Sequence, residues 1–141
     1  GGGLFIPIEI TRINPTQFFK YLAKHEITSA YLPPYMLSEY FEFIKTSLSS
    51  HKLKKLLVGV EPIPIKLLLT LQQYISELEV VNGYGPTEST ICASLFWLKQ
   101  NTQIYSTLTP IGRPISNTQI YILDSHMNPV PVGVSGEIYI G

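Results

Sequence analysis

Within "VVNGYGPTEST", residues 80 to 90, side chains suited to handling a nucleotide crowd together: Asn82, Tyr84, Thr87 and Glu88. Asn82 can both donate and accept hydrogen bonds at a base edge. Tyr84 offers a flat face on which stacking a base is worth about 1–3 kcal/mol. Thr87 brings a hydroxyl and Glu88 a carboxylate, which phosphates would repel unless a bridging Mg²⁺ turned repulsion into coordination. Gly83 and Gly85 would let the backbone come close to a ligand. The same residues also suit a tight strand-exit turn with a surface Thr-Glu pair, and the pattern by itself leaves both readings open.

The elements around this stretch must place it. Leu78, Val80 and Val81 read as a buried strand that Gly83, Gly85 and Pro86 break at its carboxyl end, the edge at which open α/β sheets bind ligands. Upstream, "LFIPI" (4–8) is expected as a short strand. Asn14-Pro15 then supplies an N-cap and a first-turn proline, with Gln17 placed for a capping box, ahead of a helix carrying Phe18, Leu22 and Ala23 that ends near His25. "ITSAYL" (27–32) is the next strand, stopped by Pro33-Pro34, and Met36, Leu37, Tyr40, Phe41 and Ile44 repeat at helical spacing. "LKKLLVGV" (53–60) leads into a buried strand, and Pro62 and Pro64 start a helix through Leu67, Leu68, Leu71 and Ile75. Such alternation predicts an α/β fold, a parallel sheet with helices on both faces and right-handed crossovers. After Glu88 the pattern changes: "TICASLFWL" (90–98), "NTQIYILD" (117–124) and "NPVPVGVSGEIYIG" (128–141) read as strands with no helix between them. A boundary near Thr109-Pro110 is expected, with an α/β unit over 1–109 and the start of an antiparallel sheet or barrel over 110–141.

Composition narrows the classes. The 141 residues carry 10 Lys plus Arg and 10 Asp plus Glu, a formal net charge of zero, so no basic stripe is available to track a phosphate backbone and nucleic acid is not expected as a partner. Charged residues are 14% of the chain, against about 25% in an ordinary soluble domain, and 45% are hydrophobic, which suggests a surface partly covered by further protein. With no initiator Met before Gly1-Gly2-Gly3, the chain reads as a segment of a longer protein. No apolar run reaches the roughly 18 residues of a membrane span and no signal segment is present, so a cytoplasmic protein without a membrane partner is expected. Cys92, the single cysteine, cannot form an internal disulfide.

"NGYGPTEST" closely resembles the Asn-x-Tyr-Gly-Pro-Thr-Glu motif of the adenylation domains of non-ribosomal peptide synthetases, within the adenylate-forming superfamily. Further stretches follow in family order: "ITSAYLPPYML" is similar to the strand before a Leu-Pro-Pro turn, "LKKLLVGVEPIP" to a Leu-Leu-x-Gly-Gly-Glu-x strand and loop, "PIGRPISNTQIYILD" to the start of the third subdomain, and "PVGVSGEIYIG" to part of a Gly-Glu-Leu-x-Ile-x-Gly motif. The resemblance implies a flavodoxin-like subdomain over 1–109 and the start of a β-rich third subdomain over 110–141. It implies ATP and Mg²⁺ as cofactors, with Asn82 and Tyr84 facing adenine, Glu61 and Pro62 lining its other side, Gly85 in the nucleotide loop, Thr87 at the α-phosphate and Glu88 at the metal. The implied reaction is attack of an amino-acid carboxylate on the α-phosphorus, giving aminoacyl-AMP and pyrophosphate, with no catalytic nucleophile in the chain. The side-chain pocket would be lined by Tyr31, Leu57, Gly59, Gly83, Ile91 and Cys92. None is charged, which favours an apolar amino acid of middling to large size, branched aliphatic ahead of aromatic.

Some of the family pattern is missing. Val60 stands where the family has a second glycine. The phosphate loop, the pocket aspartate for the substrate amine, the ribose-binding aspartate and the catalytic lysine have no counterpart, so the segment alone is expected to be inactive. Neither a phosphopantetheine-attachment serine motif nor a His-His pair is present; the phosphopantetheine would be carried by a neighbouring carrier domain. His25, His51 and His126 are isolated and read as structural or solvent-facing. The expected partners are the rest of the adenylation domain and adjoining carrier and condensation domains. An acyl- or aryl-CoA ligase fragment is the alternative within the superfamily, and a non-enzymatic nucleotide- or partner-binding α/β module is the alternative from another class.

Overall fold

The structure, a computed structural model, describes residues 2–46, 52–99, 102–103 and 106–141. Its first α/β unit follows the proline and apolar spacing closely. Helix α1 covers Glu9–Ile13 and α2 covers Pro15–Lys24, where Asn14 Oδ1 accepts from the Gln17 backbone N–H at 3.0 Å. Pro15 fills the first turn, where its missing N–H costs nothing. Strand β1 is Ser29–Tyr31, a 3₁₀ turn at Pro34–Met36 leads into α3 (Leu37–Thr46), and β2 is Lys55–Gly59. Helix α4 (Ile65–Tyr74) begins directly after Pro64, and β3 (Glu79–Tyr84) carries the first part of the nucleotide-like motif.

Five strands form one sheet in the order β1-β2-β3-β4-β5. The first three are parallel; β4 (Ser94–Leu98) and β5 (Arg113–Pro114) are each antiparallel to the strand before. A separate antiparallel pair joins β6 (Ile120–Leu123) to β7 (Glu137–Ile140). This is the expected α/β class, a parallel-leaning sheet flanked by helices and followed by a small antiparallel sheet.

Coverage of both sheet faces is the expectation from strand–helix alternation; among the described residues, α2, α3 and α4 gather over one. Phe18, Phe19, Leu22, Leu37, Tyr40, Leu68 and Leu71 share a core with Leu56, Val58, Val80 and Leu98, which alternate along the strands on a single face. The physical reason lies in the strand order. Where consecutive parallel strands lie side by side in sequence order, crossovers of the same hand return over the same face. The Phe19 and Tyr40 rings, 5.1 Å apart, join α2 to α3. Burial of Tyr40 pushes its phenol up to about 12, so the ring stays neutral. Gln72 is buried on α4 and donates through Nε2 to the carbonyls of Leu78 and Leu98, both at 3.0 Å, tying the helix to β3 and β4.

Two expectations change. Residues 4–8 form no strand: no neighbouring strand pairs with them, Pro7 has no N–H to give to a ladder, and Leu4, Ile6 and Ile8 are exposed. The strand expected from Thr90 starts only at Ser94, because Thr90 and Ile91 both have positive φ (57° and 78°) and leave the extended region. His25 is half-buried with its ring 4.3 Å from that of Tyr21, and His126 lies in an exposed turn. His51 lies outside the described residues.

Candidate functional site

Register places Tyr31, Leu57, Gly59 and Gly83 in rows on the face that the helices leave open, while Asn82 lies in the Val58–Phe96 row on the covered face. Toward the amino ends, Lys55 pairs with Glu79; Lys55 Nζ is 3.4 Å from the Glu79 carboxylate and 5.2 Å from the centre of the Trp97 ring. The next row runs Tyr31, Leu57, Val81, Trp97. The row at the carboxyl ends of β2 and β3 runs Gly59, Gly83, Leu95, Arg113. Two neighbouring glycines therefore leave a gap in the sheet surface, walled by the rows beside them.

Those glycines are required for different reasons. Gly59 has φ +146°, and a Cβ there would collide with the backbone carbonyl oxygen of Gly83. A Cβ on Gly83 would instead point into the gap, 2.7 Å from Cys92 Sγ and 3.6 Å from both Leu57 Cδ1 and Leu95 Cδ2. Leu57, Cys92 and Leu95 thus meet at one hollow, the place a Gly83 side chain would take, with Gly59 beside it in register. Tyr31 belongs to the same neighbourhood: partial burial raises its phenol, helped by the Glu61 carboxylate, the Cys92 thiol and Tyr35. Ile91 is exposed, with 68% of its surface accessible, and is not drawn in. Leu95, which no motif marks, is placed opposite Gly83 by the antiparallel register between β3 and β4; its period-two spacing from Trp97 is its one local signal.

The nucleotide-like residues leave the same sheet edge. Asn82 is buried, donates through Nδ2 to the Pro110 carbonyl at 2.9 Å, and leaves Oδ1 buried with no partner among the described residues. A buried acceptor without a donor is costly unless a ligand or water completes it. Tyr84 is half-buried at the strand end, and Gly85 is packed closely, since a Cβ there would lie 2.6 Å from Ala93 N. Beyond Pro86, Thr87–Ser89 form a 3₁₀ turn that exposes Thr87 and Glu88 side by side. The turn closes through Ser89 Oγ, which donates to the Pro86 carbonyl at 2.9 Å, and through Thr90 N–H to Thr87 O. Glu61 and Pro62 are exposed in the loop after β2, next to Val60, which takes φ +68° where a glycine would sit without strain.

Residues 107–115 form a strap across this edge. Ile65 N–H donates to Thr107 O, Thr109 donates through both N–H and Oγ1 to Ile63 O, and Ser94 Oγ donates to Ile111 O at 2.8 Å. With the Asn82–Pro110 bond, the strap fixes the nucleotide-like segment to the sheet. Hard cations such as Mg²⁺ bind through one or two carboxylates plus phosphates and keep several waters, a role that one exposed carboxylate beside a hydroxyl fits. Among the described residues no three His, Cys, Asp or Glu side chains are grouped to cage a metal by themselves. Neither is any helix long and apolar enough to cross a membrane.

A sequence model of the AMP-binding enzymes matches residues 1–141. Malpinin synthetase of Mortierella alpina is 40% identical over 141 residues, covering 100% of this chain and 2% of its own length. Tyrocidine synthase 3 of Brevibacillus parabrevis is 31% identical over 143 residues, with 100% of this chain and 2% of its own length covered. Among solved structures, the nonribosomal peptide synthetase FmoA3 in its α-methyl-L-serine-AMP-bound form superimposes with a TM-score of 0.83 at 23% identity over 92% of this chain and 15% of that one. McyG A-PCP complexed with phenylalanyl-adenylate gives 0.77 at 21% identity over 95% and 26%. At these identities the structural likeness shows the fold.

Proposed function

Because the chain belongs to the family of AMP-binding enzymes, we propose that it is the part of an amino-acid adenylation domain that carries the adenine-side motif and much of the side-chain pocket, in a protein that assembles peptides without a ribosome. The observation that carries this reading is the carboxyl edge of the sheet. There Asn82 Oδ1, buried and without a partner among the described residues, the Tyr84 ring and the exposed Thr87-Glu88 pair leave one strand, beside the hollow at Gly83. In this reading Asn82 Oδ1 accepts from the exocyclic amine of adenine and Tyr84 stacks on the base. The Thr87 hydroxyl would donate to an α-phosphate oxygen, and Glu88 would hold Mg²⁺, which would neutralise charge on the phosphates. The substrate carboxylate oxygen forms a bond to the α-phosphorus as the bond to pyrophosphate breaks. The chain's own contribution is to position and to neutralise, with no side chain becoming covalently bound.

Leu57, Leu95 and the two glycines surround the hollow without a charged group among them, which supports an apolar amino acid as substrate, branched aliphatic ahead of aromatic. Residues 1–109 would belong to the flavodoxin-like subdomain and 110–141 to the start of the β-rich third. Neighbouring carrier domains, their phosphopantetheine arm, and a cytoplasmic location complete the proposal. The test is ATP–pyrophosphate exchange by the intact protein, scanned over all amino acids. Exchange with Leu, Ile, Val or Phe is expected; a clear preference for Asp, Glu, Lys or Arg would overturn the substrate class, and exchange with no amino acid would overturn the function.

A further inference from the structure

The row through the hollow has a third member, Leu95, that no motif marks. Leu95 pairs directly with Gly83 across β3 and β4, on the same face of the sheet, and its Cδ2 stands as far from the missing Gly83 Cβ as Leu57 Cδ1 does, 3.6 Å. On the other side of Gly83 in that row lies Gly59, which has no side chain. The place a Gly83 side chain would take is therefore bounded on three sides, by Cys92 Sγ above it, by Leu57 on one flank and by Leu95 on the other. Leu95 itself is only half-buried, and it stands outside the helix-side core that Leu98 joins. Its backbone is pinned from the far side. Gly112 sits so close to the Leu95 carbonyl that a Cβ there would clash, and Arg113 pairs with Leu95 in β5. A leucine on a rigid strand, aimed into a hollow and not needed by the core, is placed to gauge what enters.

We propose that Leu95 is a specificity-determining residue: it forms the wall of the amino-acid side-chain pocket opposite Leu57 and limits the size of the substrate side chain lying over Gly59 and Gly83. This rests on the adenylation reading above. Shortening Leu95 lengthens the hollow along the row, and enlarging it fills the space over Gly83. A difference of one methylene in such a pocket changes discrimination about 10–200-fold.

The experiment compares Leu95→Ala, Leu95→Phe and Leu95→Met in the intact protein by ATP–pyrophosphate exchange, with kcat/KM measured for a series from Ala through Val and Leu to Phe, and KM for ATP measured alongside. Leu95→Ala is expected to raise the ratio of the larger substrates to the wild-type favourite by about tenfold or more, and Leu95→Phe to shift preference by a similar factor toward smaller ones. Leu95→Met is expected to keep the wild-type ranking, and KM for ATP to stay within about twofold in all three. An unchanged ranking in both the Ala and Phe variants, with every substrate falling together, would show Leu95 to be packing only and overturn the proposal. If Leu95→Ala does not fold, the Phe and Met variants decide by the same ranking. A wild-type protein that exchanges with no amino acid would overturn the adenylation reading, and with it the proposal, a result separate from an active enzyme whose ranking ignores Leu95.

Discussion

Replacing Gly59 by alanine should break the sheet at the row where the hollow is built. The new Cβ would meet the backbone of Gly83: it would collide with the carbonyl oxygen and lie 3.0 Å from the carbonyl carbon and 3.1 Å from the nitrogen. Backbone in a paired strand cannot turn aside as a side chain can, so β2 and β3 must part at the Gly59–Gly83 pair. Overpacking costs about 1–3 kcal/mol. Holding a non-glycine residue at φ +146° adds about 1–3 kcal/mol. A total near 4 kcal/mol is a large share of the roughly 5–15 kcal/mol that holds an ordinary domain together. Gly83→Ala is the internal control, because its Cβ would press on Cys92 Sγ, the end of a side chain that can rotate away, and otherwise make ordinary contacts with Leu57 and Leu95. That should cost only about 1 kcal/mol. Urea unfolding of the 141-residue chain, followed through the fluorescence of Trp97, its single tryptophan, measures both. At about 2 kcal/mol per M, Gly59→Ala should lower the midpoint by about 2 M and Gly83→Ala by about 0.5 M. Equal midpoints for wild type and Gly59→Ala, or a larger loss for Gly83→Ala, would show that no backbone clash is made at the Gly59–Gly83 pair.

Val60→Gly should stabilise the chain, because the left-handed conformation costs a β-branched residue about 1–2 kcal/mol while glycine's added freedom in the unfolded chain costs about 0.5–1; a lower urea midpoint would contradict this. In the intact protein, Glu88→Gln should reduce amino-acid-dependent exchange at limiting Mg²⁺ at least about tenfold, about 1.4 kcal/mol, and wild-type rates would return Glu88 to a solvated turn. The 141-residue chain by itself should give no amino-acid-dependent exchange, and a measurable signal from the purified chain would disprove that. Asp124 is held below the usual carboxylate range by the backbone N–H groups of Asn128 and His126. A depressed folded pKa contributes stability above the unfolded value of about 3.9 that is lost as pH falls through the folded one. Asp124→Asn should therefore lower the urea midpoint at pH 7 and make little difference near pH 2; a difference independent of pH would rule out the carboxylate as its source.

Much of the α/β unit is legible from local rules, since Asn14-Pro15, Pro33-Pro34 and Pro62-x-Pro64 punctuate runs whose apolar spacing matches the elements they flank. The failures are where neighbours decide. "LFIPI" has the composition of a strand but no strand beside it, and β propensity cannot substitute for a ladder partner. "TICAS" reads as extended because Thr and Ile are β-branched, yet the tight turn after Thr87 drives Thr90 and Ile91 to positive φ. At the site, the motif places Asn82, Tyr84, Thr87 and Glu88 on one strand exit, but that Asn82 is buried and bonded to Pro110, 28 residues away, is a fact of tertiary packing that no local pattern carries. Leu95 is invisible for the same reason: its partner across the sheet is known only once register is.

The strap has a consequence for the order in which the molecule forms. Its side-chain bonds close long loops: 46 residues from Thr109 to Ile63, 28 from Asn82 to Pro110 and 17 from Ser94 to Ile111. The parallel β1-β2-β3 body must already exist to offer those anchors, because the acceptor at Ile63 and the donor at Asn82 belong to segments brought together only by that body. Loop closure favours nearer partners first, so the helices and first three strands should assemble and the strap should dock afterwards. Until it does, the Asn82 amide lacks the Pro110 bond that orients it. Acquisition of the geometry proposed to face a nucleotide is then a late event in folding, and the amide hydrogens of Thr109 and Ile115, which bond to Ile63 and Ala93, are the ones whose protection from exchange with solvent should appear last.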